Sequence, residues 1–250
     1  MIEFRLEGGV ARITLNRPEK RNALNAELIA AIGEALQQTA RDENVRVVRI
    51  GGAGPDFCSG ADLGGLNQTA DQGVLDHLQT ARRLADLFLQ MRHHPRPIVA
   101  AVRGRALAGG CGLATACDLV LACETSSFGY PEVKIGFVPA MVMAILRRSV
   151  SEKRAFELIA TGEIISAVQA HAVGMINRVY ADGEFDARVE DYVQALAAKS
   201  ASAVSLGKKL LYHMDAMTFE SALDAGAQGN ALARMTEDAR RGIERFVRKS

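Results

Sequence analysis

The residues best able to do chemistry lie in two glycine-rich segments, Gly54–Leu63 and Gly104–Leu113, each following a strand-like run, Val45–Ile50 and Ile98–Val102. Small side chains there let a ligand approach the backbone closely. The second segment runs into an expected helix from about Gly110 to Cys117, whose first amide N–H groups have no partner inside the helix. Two such bare N–H groups, brought to one oxygen, stabilise negative charge developing on it. Ordinary tight turns use glycine as well, so the segments by themselves leave both readings open. A third segment, Phe128–Gly136, supplies a carboxylate, Glu132. An anion hole with a base beside it suits chemistry that passes through an enolate.

Phe57–Leu63, Ala106–Asp118 and Phe128–Pro139, in that order and spacing, resemble the crotonase (enoyl-CoA hydratase/isomerase) family, as does Leu15–Asn25 near the N-terminus. The likeness extends over nearly the whole chain. It implies an α/β fold of a particular kind, a spiral of ββα repeats with a helical C-terminal region. It also implies one domain over residues 1–250, with 1–195 as the spiral core and 196–250 as a helical trimerisation region, and trimers often paired into hexamers. The substrate implied is an acyl-CoA thioester, with no cofactor besides the coenzyme A carried by the substrate.

By the same resemblance the oxyanion donors are the backbone N–H groups of Ala61 and Gly109, and Glu132 matches one of two catalytic glutamates. As a general acid/base Glu132 is expected in an apolar pocket that raises its pKa, with Tyr130, Phe137 and Val138 as candidate lining. The other glutamate falls on Gly112, which carries no proton. Hydration of a 2-enoyl thioester is the leading expectation, because some hydratase-like relatives share that glycine and the Gly136–Ala140 stretch. Double-bond isomerisation with Glu132 as a single proton shuttle is the alternative. For the coenzyme A arm, Arg21, Asn22 and Ala23 match the segment along the nucleotide and pantetheine. Ala61, Asp62 and Leu63 match residues near the adenine, and Phe246 and Lys249 match a C-terminal contact. Asp62 is expected to order its own loop.

Charge and composition narrow the alternatives. A formal net charge of +1 gives no long-range pull toward nucleic acid or an anionic membrane. No apolar run approaches membrane-spanning length and no charged-then-apolar leader opens the chain, so a cytoplasmic protein is expected. Cys58, Cys111, Cys117 and Cys123 lack ligand-type spacing, and the residues favour small buried hydrophobes over nucleophiles. A hydrolase would have only Cys111 to use at the helix start. No metal site is expected. The adjacent His93 and His94 read as protonated side chains near a helix C-terminus rather than metal ligands.

These positions need elements to hold them. Glu3–Leu6 and Val10–Leu15 alternate about Gly8 and Gly9 and predict a hairpin. Asn25 caps a helix to about Arg41 with Leu28, Ile32 and Leu36 on one face. A helix over about Val74–Arg92 and a strand over Leu119–Ala122 follow. Strands alternating with helices give α/β layers. From Ala140 onward the pattern reads as nearly all helix, beginning with a Ser166/Gln169 capping box and a helix through Val173. Further helices are expected near Phe185–Lys199, Ser202–His213, Thr218–Leu232 and Glu237–Val247.

Overall fold

The computed structural model describes residues 1–62, 64 and 71–248. The expected hairpin forms from β1 (Ile2–Glu7) and β2 (Val10–Leu15), paired antiparallel. Helix α1 (Ala26–Arg41) begins where the Asn25 side chain accepts the Leu28 N–H, and Leu28, Ile32 and Leu36 are buried as the pattern required. Then come β3 (Val47–Gly52), α2 (Val74–His93) and β4 (Ile98–Val102). Strand β3 starts two residues later than expected, since Val45 turns in from Asp42 before the ladder begins.

Two turns of a spiral follow. Strand β4 enters a large sheet, β5 (Arg105–Leu107) a small one, and α3 (Gly109–Ala116) closes the turn. Strand β6 (Leu119–Cys123) returns to the large sheet and β7 (Ser127–Gly129) to the small one. The large sheet has the order β1-β2-β3-β4-β6-β9 and is parallel from β2 onward; the small one has the order β5-β7-β8. The α/β spiral of ββα repeats is therefore the observed fold.

The later region is not all helix. Helices α4 (Met143–Ser149), α5 (Glu152–Thr161) and α6 (Ala167–Ala172) are interleaved with β8 (Ile164–Ser166), and β9 (Arg178–Tyr180) closes the edge of the large sheet. Three-residue strands are too short to show a period of two against helical neighbours. The Ser166/Gln169 capping box is present and starts α6. Helices α7 (Phe185–Ala197), α8 (Ala201–His213), α9 (Phe219–Met235) and α10 (Glu237–Val247) complete the chain.

The parallel strands serve two cores because alternate side chains point to opposite faces. Val48, Ile50, Ile98, Ala100, Val102, Val120 and Ala122 enter the main core under α1, α2 and α3. Val47, Val99, Ala101, Leu121 and Cys123 face α7 and meet Phe185, Val189 and Val193. His94 departs from expectation. It is buried, with Nε2 3.1 Å from Thr39 Oγ1 and Nδ1 receiving the Arg96 N–H at 3.1 Å. Burial lowers its pKa, so it is a neutral core histidine rather than a cation at a helix end. Among the described residues no helix is long and apolar enough to cross a membrane.

Candidate active site

One rank of paired residues assembles the site. Cys58 forms a parallel bridge with Ala106, and Ala106 pairs with Phe128 in the β5–β7 ladder. Three segments far apart in sequence thus cross the small sheet side by side. Ala61, Gly109 and Glu132 each follow their member of that rank by three or four residues. The first segment has shrunk to a bridge held by two hydrogen bonds, Cys58 N–H to the Arg105 carbonyl and Leu107 N–H to the Cys58 carbonyl, both 3.0 Å.

Close approach explains why small residues fill this crossing. A Cβ on Gly110 would lie 2.3 Å from the Cys58 carbonyl oxygen. Gly60 has φ of 101°, and a Cβ there would stand 2.7 Å from that of Ala108. Ala108 itself adopts φ 51° and ψ −128°, a region that strains any residue with a side chain. That backbone turns directly into Gly109, the first residue of α3. Neither the Gly109 N–H nor the Ala61 N–H has a hydrogen-bond partner among the described residues.

Glu132 sits in a 3-10 turn, Pro131–Ile135, that Gly136 terminates. The turn is anchored by its neighbour Tyr130, which is fully buried with its hydroxyl 3.4 Å from Thr115 Oγ1 on α3. Burial raises the pKa values of Cys111 and Tyr130, and the Glu132 carboxylate adds a smaller push in the same direction. Its own Oε2 is buried and has no hydrogen-bond partner among the described residues. Burial raises its pKa, against a smaller opposing contribution from its own backbone N–H. Phe137 and Val138 are both more than half exposed, so of the expected lining only Tyr130 is buried. An unpaired carboxyl oxygen with a raised pKa is a group ready to exchange a proton.

Gly112 faces a filled space. A Cβ there would lie 2.1 Å from Val142 Cγ1 and 3.3 Å from Phe88 Cζ, two buried apolar side chains. A glutamate at 112 would collide with that wall. The thiols offer no substitute. Burial pushes Cys58 and Cys111 up to about 12, leaving them protonated at neutral pH, and this removes the Cys111 nucleophile. Cys117 and Cys123 are buried and raised as well.

The expected coenzyme A residues divide. Arg21 is exposed, in the left-handed region at φ 51°, and its carbonyl accepts the Ser59 N–H at 3.0 Å, which docks it on the first glycine segment. Ala23 is buried beside it. Asp62 makes an ion pair with Arg17 at 3.0 Å, a partner distant in sequence. Leu63 and Lys249 lie outside the described residues. Phe246 is on α10 and largely exposed, and that helix packs mainly on α8 and α9. Sequence reasoning missed Arg17 and Val142. Each acts through a partner in another motif, so neither carries a signal within its own segment.

Comparison with known proteins bears on the family and the fold. The model of the enoyl-CoA hydratase/isomerase family matches residues 5–250. A relative from Thermus thermophilus, named putative enoyl-CoA hydratase, is 39% identical over 97% of this chain and 96% of its own. The 1,2-epoxyphenylacetyl-CoA isomerase of Escherichia coli is 32% identical over 100% and 97%. Among solved structures, an enoyl-CoA hydratase of Mycobacterium smegmatis superposes with a TM-score of 0.95 at 35% identity, covering 99% of this chain and 96% of that one. Fold, motif order and full-length likeness coincide, and the chain belongs to the enoyl-CoA hydratase/isomerase family, the crotonases.

Proposed function

We propose that this protein holds an acyl-CoA thioester with its carbonyl oxygen on the Ala61 and Gly109 N–H groups and moves a proton with Glu132 as the sole carboxylate. The observation that carries this reading is the buried Oε2 of Glu132, which, like the N–H groups of Ala61 and Gly109, has no hydrogen-bond partner among the described residues. Two donors aimed at the oxygen favour the enolate over the ground-state thioester. Arg21, Ala23, Asp62 and Phe246 serve the coenzyme A arm in this reading, together with Leu63 and Lys249.

Val142 and Phe88 fill the space beside Gly112 that a second, water-holding carboxylate would need. Isomerisation of a 3-enoyl to a 2-enoyl thioester needs no such carboxylate. Glu132 takes a proton from the α carbon, the negative charge rests on the thioester oxygen, and the same proton returns at the γ carbon as the double bond moves. Hydration is the second reading, favoured by the hydratase names of the Thermus and Mycobacterium relatives. There Glu132 would take the proton from water as its oxygen adds to the β carbon, then deliver it to the α carbon.

A panel of 3-enoyl, 2-enoyl and 3-hydroxyacyl thioesters in heavy-oxygen water separates the two. The expected result is rapid conversion of the 3-enoyl to the 2-enoyl thioester without oxygen incorporation. Rapid incorporation at the β carbon of a 2-enoyl substrate would overturn isomerisation in favour of hydration. Loss of neither reaction on replacing Glu132 would remove it from both.

The C-terminal helical region is proposed to associate with further copies, as trimers or hexamers. Leu211, Phe219, Leu223, Leu232, Ile243 and Phe246 are each more than half exposed in the single chain, which supports that reading.

A further inference from the structure

Arg17 lies in the N-terminal motif but has no part in the proposed chemistry, yet its side chain is only 11% exposed. Its guanidinium fastens two stretches of backbone. Nη1 donates to the Ala23 carbonyl at 2.5 Å, and Nη2 to Asp62 Oδ2 at 3.0 Å. The arginine is itself fixed at its main chain. Its N–H donates to Asn22 Oδ1 and its carbonyl accepts the Asn22 N–H, both at 2.9 Å. Fully buried Asn22 donates in turn to the carbonyls of Ala53 and Asp56.

These bonds converge on one peptide. Leu24 brackets Ala61, its N–H donating to the Gly60 carbonyl at 2.7 Å and its carbonyl accepting the Asp62 N–H at 2.9 Å. The residue before Ala61 and the residue after it are therefore both held, and the Asp62 side chain adds a third anchor through Arg17. The Ala61 N–H itself has no partner among the described residues. A donor stabilises a transient anion best when its direction is set beforehand, and a shift of about 1 Å costs roughly 100-fold in rate.

We propose that Arg17 is a positioning residue for the oxyanion donor: its guanidinium, closed on Asp62 and on the Ala23 carbonyl, fixes the direction of the Ala61 N–H. The inference rests on the reading of Ala61 as that donor. Direct capture of a coenzyme A phosphate is disfavoured, because the guanidinium is buried and both terminal nitrogens are occupied. Lysine does not replace it, since a single ammonium cannot serve both acceptors in a fixed fork.

The test uses acetoacetyl-CoA, a β-ketothioester whose enolate absorbs in the near ultraviolet. The pH at which the bound ligand ionises is read for the full-length protein, for Arg17→Lys and for Asp62→Asn, alongside kcat and KM on the 3-enoyl substrate. Circular dichroism checks the fold, and the isosteric Asp62→Asn covers the case in which Arg17→Lys does not fold. In the unmodified protein the bound ligand should ionise at a lower pH than in water. In each variant that pH should rise by about one unit, a tenfold weaker hold on the enolate. The kcat value should fall about 10- to 100-fold in both variants, with KM within about threefold for Arg17→Lys. The double variant should be no worse than the poorer single one, as two groups of one device are non-additive. Unchanged ionisation and kcat in folded variants would overturn the proposal, and a rise in KM alone would make Arg17 a ligand contact. Failure of the unmodified protein to favour the enolate would instead remove Ala61 as the donor, and the inference with it.

Discussion

Every residue of β4 is buried, whereas α8, α9 and α10 together bury none. The first region hides its apolar side chains within its own sheets and helices, on both faces of the strands. The second packs helix on helix and leaves Phe219, Leu223, Leu232 and Ile243 open. The same contrast runs through the chemistry, since Ala61, Gly109 and Glu132 all hang from the small sheet of the first region. A single chain thus closes around the proposed site and leaves apolar surface open along its C-terminal helices.

The contrast can be broken by paired substitutions. Phe185→Ala removes a fully buried ring from the core between the large sheet and α7. The expected loss is about 3–5 kcal/mol in denaturant unfolding. Leu223→Glu, on α9, should change single-chain stability by no more than about 0.5 kcal/mol. It should instead lower the mass seen in analytical ultracentrifugation. If Leu223→Glu unfolds the chain as deeply as Phe185→Ala, the two regions are not built on different terms.

Glu132→Gln addresses the site alone. Turnover should drop at least ~100-fold, about 2.7 kcal/mol of barrier, with acyl-CoA binding nearly unchanged. Stability should move the opposite way. A carboxyl whose folded pKa is raised supports the fold below its unfolded pKa, and that support is lost as pH rises through the folded value. At neutral pH the Gln variant should therefore melt at the same temperature as the parent or higher. Near-normal turnover, or a marked loss of stability, would show Glu132 to be scaffold.

His94 offers the smallest of these effects. Its folded pKa is lowered by burial from an ordinary 6.5, so the unfolded chain takes up the proton first. The stability this gives is full above the unfolded value and declines as pH falls toward the folded one. The slope cannot exceed about 1.4 kcal/mol per pH unit for one proton. His94→Gln should flatten that stretch of the unfolding midpoint against pH, whereas replacing the exposed His171 should not.

Much of the first region was legible in the chain because its signals are local. The Asn25 cap, the capping box at Ser166, the alternation about Gly8 and the continuous apolar run of β4 each declare an element by themselves. Glu132 and the glycine segments were legible through motif order. What stayed hidden depends on pairing between distant residues. Nothing in Arg105–Leu107 marks a strand until Ser127–Gly129 lies beside it, and nothing in Gly112 reveals that Val142 occupies the adjoining space. His94 misled for the same reason, because its burial is set by Thr39 and Leu36 on another helix.

The rank formed by Cys58, Ala106 and Phe128 bears on how the molecule comes into being. No two of its members are close in the chain, so the entropy of closing long loops must be met before any of these bonds is gained. The helices, by contrast, nucleate from neighbours in sequence. During refolding, helical signal should return ahead of catalysis, and regained turnover would time the closing of the small sheet. The enzyme's own activity is then a clock for the most non-local event in its folding.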